Sequence, residues 1–256
     1  MISPLAYVDA DAKLGANVTV HPFAYIDKNV VIGDNCEIMP HASIMSGARL
    51  GRNNKVFNGA VIAAEPQDFN YKGDDTVVVI GDDNVIRENV VINRATTPKG
   101  QTFIGNGNFI HEGVHISHDT HVGNHSVFGY GCKISGNCFF EDYVIFGGNV
   151  LVSQGSRVGT WSMTQTGCRF RKDVPPYIVA AQEPTTYYGV NSFVLSHQGM
   201  GEKIIKHISH AYRIIYQGHS SVFDALQMIR DQVPMSEEIQ HIIDFVEASK
   251  LGIIGR

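Results

Sequence analysis

Five histidines and one aspartate crowd into fifteen residues: His111, His115, His118, Asp119, His121 and His125. Imidazoles so close together suit either of two chemistries. They can bind a metal, or one can move a proton. A tetrahedral zinc site needs three or four converging ligands. The acid/base reading needs only one neutral histidine whose proton affinity lies near the working pH, plus a donor for the oxyanion that develops. Choosing between them requires knowing which residues stand beside the cluster, and the surrounding repeat supplies that.

Positions 104, 110, 116, 122, 128, 134, 140, 146, 152 and 158 are all apolar: Ile, Ile, Ile, Val, Phe, Ile, Phe, Phe, Val, Val. The same frame holds from Ile2 through Val8, Leu14, Val20, Ile26, Ile32, Ile38, Ile44, Leu50 and Val56 to Ile62. Neither a helical nor an alternating period gives this pattern; a period of six is a hexapeptide repeat, the signature of a parallel β-helix. Each six makes a short strand and a turn. Three sixes close a triangular coil, and successive coils hydrogen-bond about 4.8 Å apart. Residues 18 apart therefore stack. The fold class is mainly β, a parallel β-helix followed by helices.

Stacking decides the chemistry. No two histidines between His21 and His125 differ by 18 or 36, so neighbouring coils do not assemble a metal set. No metal and no cofactor is expected. Gly136 stands 18 residues after His118, at the same place one coil on. A glycine amide there can approach a reacting carbonyl closely. Asp119 stacks with Asn137 and is placed to orient the imidazole or a substrate hydroxyl, although aspartate also favours turns for its own reasons. None of the clustered histidines occupies an inward slot, so all are expected at the surface or at corners.

The remaining chain bounds the reading. A net charge of −5 argues against nucleic-acid binding. No run of about 18 apolar residues suggests a transmembrane segment. Met1 to Ala10 lacks the basic start and apolar run of a secretory signal, and the expected location is cytoplasmic. Cys36, Cys132, Cys138 and Cys168 contain no CxxC pair and all fall in the fifth slot of the frame, where a thiol packs as a small hydrophobe. The frame breaks at 63–79 and again at 96–103, which read as loops leaving the prism; loops on a rigid scaffold often carry function. After Val158 it fades through Thr164 and Phe170. Residues 185–198 read as irregular. Helical spacing follows from Ile204 to Tyr216, ended by Gly218; Ser221 and Asp224 form a capping box for a second helix; a third spans 236–250. The division is a prism over 1–184 and a helical part over 185–256.

The prism, its two loops, the run His115-Ile-Ser-His118-Asp119, the segment Asp173-Val-Pro-Pro-Tyr177 and the run from Tyr188 to Asn191 together resemble the UDP-N-acetylglucosamine O-acyltransferases, which open lipid A synthesis in Gram-negative bacteria. The likeness covers essentially the whole chain. It implies a left-handed coil, an exception to the usual crossover hand. It also implies a homotrimer with sites between neighbouring prisms, and transfer of a 3-hydroxyacyl group from acyl carrier protein to the 3-hydroxyl of UDP-N-acetylglucosamine. In that resemblance His118 is the general base and Gly136 the oxyanion amide. Asp68, His115, Gln154 and Asn191 contact the sugar nucleotide. Asn93 and Asn137 stand where the family commonly has histidine, and Asn70 where it has a loop lysine, with Lys72 two residues on. His197 and Gln198 replace basic residues that hold phosphate; the loss of an arginine fork changes how the diphosphate is bound. Arg169, Arg171, Lys172, Lys203, Lys206 and Arg213 offer a basic face for the acidic carrier, and Met163 and Thr166 are candidates for setting chain length. Three other readings stand beside this one: an N-acyltransferase on a UDP-amino sugar, an acetyl-CoA-dependent acetyltransferase, and a non-catalytic trimeric scaffold. The N-acyltransferases usually carry a uridine-binding domain before the prism, and here the frame starts at residue 2.

Overall fold

The computed structural model describes residues 1–218 and 221–255. Residues 7–181 wind into a parallel β-helix whose short strands, most of two residues, join three sheets of nine, eight and nine strands, the last extended to ten by an antiparallel strand at 186–190. Each sheet takes every third strand, as three sixes per coil require. Apolar residues stack inside in register, as in Ile26 on Ile44, Ile44 on Ile62, and Ile116 on Ile134. β-Branched chains suit such a pleated, closely packed column. Further along, Phe128, Phe140 and Phe146 fill the interior with tilted and edge-on contacts. The corners need left-handed backbone, and asparagine and aspartate supply much of it, including Asn17, Asn35, Asn53, Asp83, Asn89, Asp119 and Asn137. The frame opens at its start: Ile2 is half exposed and full burial begins at Val18.

Several sequence expectations change. The first excursion is shorter than 63–79, because strands Val61–Ala64 and Val77–Ile80 extend into it and leave 65–76 as the loop. The alternating run Val77-Val78-Val79 pairs with Gln101–Ile104, which likewise shortens the second excursion. Across the loop-bearing coils the stacking interval grows from 18 to 30, as in Lys55 beside Val85, or to 24, as in Val91 beside His115. The frame does not fade at Thr164 and Phe170, which are both buried strand residues. Not every fifth slot is small and apolar: Asn54, Asn84 and Asn108 are fully buried there, each donating to the next coil at Gly81, Gly105 and Gly123 carbonyl oxygens.

Residues 185–198 are ordered. Strand Thr186–Val190 runs antiparallel to Ile178–Ala181, so residue 184 falls inside a hairpin. Four helices follow: α1 (Ser192–His197), α2 (Glu202–Gln217), α3 (Val222–Gln232) and α4 (Glu237–Glu247). Ser221 and Ser236 each cap their helix by accepting a backbone N–H three residues on. α4 stops at Glu247, before the expected 250, and Gly252 adopts a positive φ in the tail beyond it. The helices are tied to the prism. Tyr212 Oη donates to the Pro176 carbonyl at 2.6 Å, and His241 lies between Glu141 and the Tyr177 hydroxyl. The last residues pair with Asp173 and Thr186. Among the described residues no helix is long and apolar enough to cross a membrane.

Candidate active site

His118 sits at a corner of the prism, between the sheets that contain His115–Ile116 and His121–Val122. A corner is one of the two places the frame allows it, and there only 6% of it is exposed. The cover comes from the first loop, where Asp68 Oδ2 approaches His118 Nε2 to 3.3 Å without the alignment of a hydrogen bond. On the other side of the ring, Nδ1 meets Asp119 Oδ2 at 2.8 Å. Only Nδ1 has an aligned carboxylate acceptor, so the neutral ring's proton is best placed there towards Asp119, with Nε2 turned to Asp68 and the cavity.

The loop that supplies Asp68 is held by Arg94. Its guanidinium donates to the Tyr71 hydroxyl at 3.0 Å, bonds to Glu65 at 3.2 Å, and lies over the Tyr71 ring. Asn93, next to it, donates to the Glu65 carbonyl at 2.6 Å.

Gly136 lies directly under the imidazole. A Cβ added there would stand 2.4 Å from His118 Cε1 and 2.5 Å from Nε2, so only glycine lets the ring rest on this corner. Along another edge of the prism the backbone N–H groups of Ala16, Arg52, Asp82, Asn106 and Asn124 donate to a side-chain oxygen one coil along, whereas on the edge of Gly136 those of His118 and Gln154 find no acceptor among the described residues. The residue one coil past Gly136 is Gln154, and the Gly136 N–H has no acceptor among the described residues. A free amide therefore stands beside a tautomer-fixed imidazole.

These groups open onto a polar cavity of about 300 Å³ lined by Gln67, Asp68, His115, Ser117, His118, Lys133, Ser135, Gly136 and Gln154. Burial lowers the proton affinity of His115, with further lowering from Lys133 and His118, so it enters neutral chemistry as a hydrogen-bonding group. Larger hollows of about 440 Å³ lie at Arg169 to Thr186 and at Asn137 to Leu251. Neither contains a histidine, and in the hollow of about 400 Å³ beside Asp142 the imidazoles are already engaged, His121 between Phe103 and Phe139 and His241 against Glu141.

Six of the expected site residues converge here: His118, Asp119, Gly136, Asp68, His115 and Gln154. Asn93 does not line the cavity; it is buried beneath the loop foot. Asn137 borders the neighbouring hollow with Phe139 and Arg157, and its backbone N–H donates to the His118 carbonyl. Asn191 is buried with its side chain donating to the Trp161 carbonyl. His197 packs with its ring tilted against Phe193, and Gln198 caps α1; both stand apart from the cavity within one chain. Lys133 and Ser135 were missed, although Lys133 is 18 residues after His115 and stacks on it. The other clustered histidines belong to outer stacks. His121 is sandwiched between Phe103 and Phe139, His125 lies on Tyr143, and His111 meets the edge of Phe109.

Known proteins resemble this chain from end to end in sequence and fold. An enzyme of Janthinobacterium sp. (strain Marseille) named acyl-(acyl-carrier-protein)–UDP-N-acetylglucosamine O-acyltransferase is 41% identical over 259 residues, covering 99% of both chains. This chain belongs to the UDP-N-acetylglucosamine O-acyltransferase family. A relative of the same name from Halorhodospira halophila is 37% identical over 99% of this chain and 98% of its own. Among solved structures, a UDP-N-acetylglucosamine acyltransferase from Bacteroides fragilis superposes with a TM-score of 0.98 at 50% identity, covering 99% of this chain and all of that one. The Acinetobacter baumannii structure gives 0.96 at 30% identity, covering 99% of each. The sequence model for domain 2 of UDP-N-acetylglucosamine O-acyltransferase matches residues 173–254, and that for the bacterial transferase hexapeptide matches 29–64 and 101–136. The domain 2 match begins at Asp173, inside the last coil. The fold is the left-handed parallel β-helix of this enzyme family with a helical C-terminal part.

Proposed function

We propose that this chain moves a 3-hydroxyacyl group from acyl carrier protein to the 3-hydroxyl of UDP-N-acetylglucosamine, the first step of lipid A synthesis. The observation that carries the reading is the His118 ring, held by Asp119 on one nitrogen and resting on the unpartnered Gly136 amide. Nε2 of His118 takes the proton from the sugar hydroxyl as the oxygen attacks the thioester carbonyl. The oxyanion of the tetrahedral intermediate accepts from the Gly136 N–H. On collapse the carbon–sulfur bond breaks, and His118 returns its proton to the departing thiolate. Asp119 keeps the proton on Nδ1 and stabilises the imidazolium between the two transfers. Asp68, close to Nε2 in the free protein, accepts from a sugar hydroxyl when substrate enters, and His115 and Gln154 hydrogen-bond the same ring.

The separation of Asn191, His197 and Gln198 from the cavity within one chain supports a homotrimer in which a neighbouring copy brings them to the nucleotide. Asn93 and Asn137 act on the sugar only indirectly, through the loop foot and the corner. The basic rim at Arg169, Arg171 and Lys172 suits an acidic carrier; reversing charge at Arg171 and Lys172 is expected to raise KM for the carrier alone. In this reading the prism, 1–184, carries the chemistry, and 185–256 serves the partner contacts. The test is incubation of purified protein with UDP-N-acetylglucosamine and carrier-linked 3-hydroxyacyl chains of several lengths. An ester at the sugar 3-hydroxyl is expected with at least one length. Transfer to a UDP-amino sugar amine instead, or no transfer at any length, overturns the reading.

A further inference from the structure

Thr96 stands at the foot of the second loop, far from the base in sequence, and no motif includes it. Its hydroxyl donates to Asp119 Oδ2 at 2.6 Å, and its backbone N–H reaches Oδ2 at 3.1 Å and Oδ1 at 3.3 Å. The same Oδ2 takes the His118 Nδ1 bond. The far side of the loop joins in, because the Asp119 N–H donates to Thr102 Oγ1 at 2.9 Å. Both feet of one loop thus grip the residue that grips the base. Asp119 also has a left-handed backbone, φ +56, so its carboxylate is fixed from the main chain and from its tip.

We propose that Thr96 is a positioning residue for the proton transfer: through Asp119 it fixes the tautomer and the aim of His118. This rests on the acyl-transfer reading for its kinetic consequences and on the geometry alone for its tautomer consequence. The charged and titratable groups facing His118 are Asp68 from the first loop, Asp119 beside it, and His115 with Lys133 behind it. Of these, Asp119 is the one bonded to Thr96. A carboxylate that loses this short hydroxyl donor is freer to rotate away from the ring, and the Nδ1 proton is then less firmly held.

Thr96→Val keeps the shape and the backbone N–H and removes the hydroxyl. Loss of one hydrogen bond to a charged group predicts a fall in kcat of about tenfold or more. KM for UDP-N-acetylglucosamine should stay within about twofold, because the lost contact acts on the base and not on the bound sugar. Thr96→Ser should restore the wild-type kcat and the wild-type tautomer. In an Asp119→Asn background, Thr96→Val should add no further loss. Imidazole nitrogen-15 spectra read the tautomer without turnover: the wild type should show His118 protonated on Nδ1, and Thr96→Val a mixture. If Thr96→Val does not fold, Thr96→Ala is read by the same spectrum. A wild-type spectrum in the hydroxyl-less variant, a loss additive with Asp119→Asn, or a change in KM alone overturns the proposal. A wild type that shows the fixed tautomer but no acyl transfer overturns the function and leaves the positioning role standing.

Discussion

Replacing Gly136 by alanine perturbs the site through one methyl group. The Gly136 backbone lies outside the left-handed region, so alanine meets no conformational strain there. The obstacle is the imidazole: the new Cβ would lie 2.4 Å from Cε1, 2.5 Å from Nε2 and 2.9 Å from Nδ1, against 3.4 Å for ordinary contact. The ring must retreat by about 1 Å, a misplacement that costs on the order of 100-fold when reacting atoms are aligned. That retreat lengthens or breaks the 2.8 Å bond to Asp119, and it moves Nε2 away from the attacking hydroxyl. A 100-fold loss corresponds to about 2.7 kcal/mol of barrier. The assay is kcat for acyl transfer, with circular dichroism and oligomeric state as checks on folding. Gly201→Ala is the control, since nothing lies within 4 Å of a Cβ there. In a His118→Ala background the added methyl should do no further harm to activity, because its three nearest neighbours belong to the missing ring. A Gly136→Ala enzyme with wild-type kcat would show that the ring does not rest on this corner, and the geometric account would fail.

The buried amide ladder predicts a stability cost at Asn84. Asn84→Leu would strand the Gly105 carbonyl and the Asn108 amide, at about 1–3 kcal/mol each, and thermal unfolding should show a Tm lower by roughly 5–15 °C; an unchanged Tm would refute the ladder. His115 should titrate below its ordinary 6.5, because burial and Lys133 both lower it. Its folded value lies below its unfolded one, so its contribution to stability is complete above about 6.5 and is lost as the pH falls through the folded value. Lys133→Met should raise the midpoint in a histidine NMR titration; no movement would remove Lys133 from the cavity's electrostatics. The four thiols should resist alkylation at pH 8 in the folded protein, since burial pushes Cys132 up to about 11, Cys138 up to about 12, and raises Cys36 and Cys168. Rapid labelling of any of them, read by mass spectrometry, would contradict the packed interior.

The coil was legible because its period is set by closure: one apolar residue must return to the interior every six, whatever lies outside. Asn54, Asn84 and Asn108 escaped notice because a buried asparagine looks like a flaw until its carbonyl partner one coil on is seen. The loop lengths were overestimated at Val77-Val78-Val79, where strand alternation replaces the six-residue frame. The pairing of His118 with Gly136 could be read because both lie in uninterrupted coils, 18 apart. Its burial could not, because the cover is Asp68, a residue on a loop whose path no repeat dictates. The same 18-residue rule, applied to the outer faces, would have removed His121 and His125 from the site. Phe103, His121 and Phe139 form one column, and His125, Tyr143 and Trp161 another. Thr96 was invisible for the reason Asp68 was: a loop foot carries no period.

The most direct measurement is turnover by His118→Ala at saturating UDP-N-acetylglucosamine and carrier-linked hydroxyacyl chain. The ring fills a corner without holding the prism together, so the variant should keep its fold and assembly. Loss of the general base should lower kcat by about 100-fold to 10,000-fold. Undiminished acyl transfer by a folded His118→Ala protein would contradict the assignment of this imidazole as the group that moves the proton.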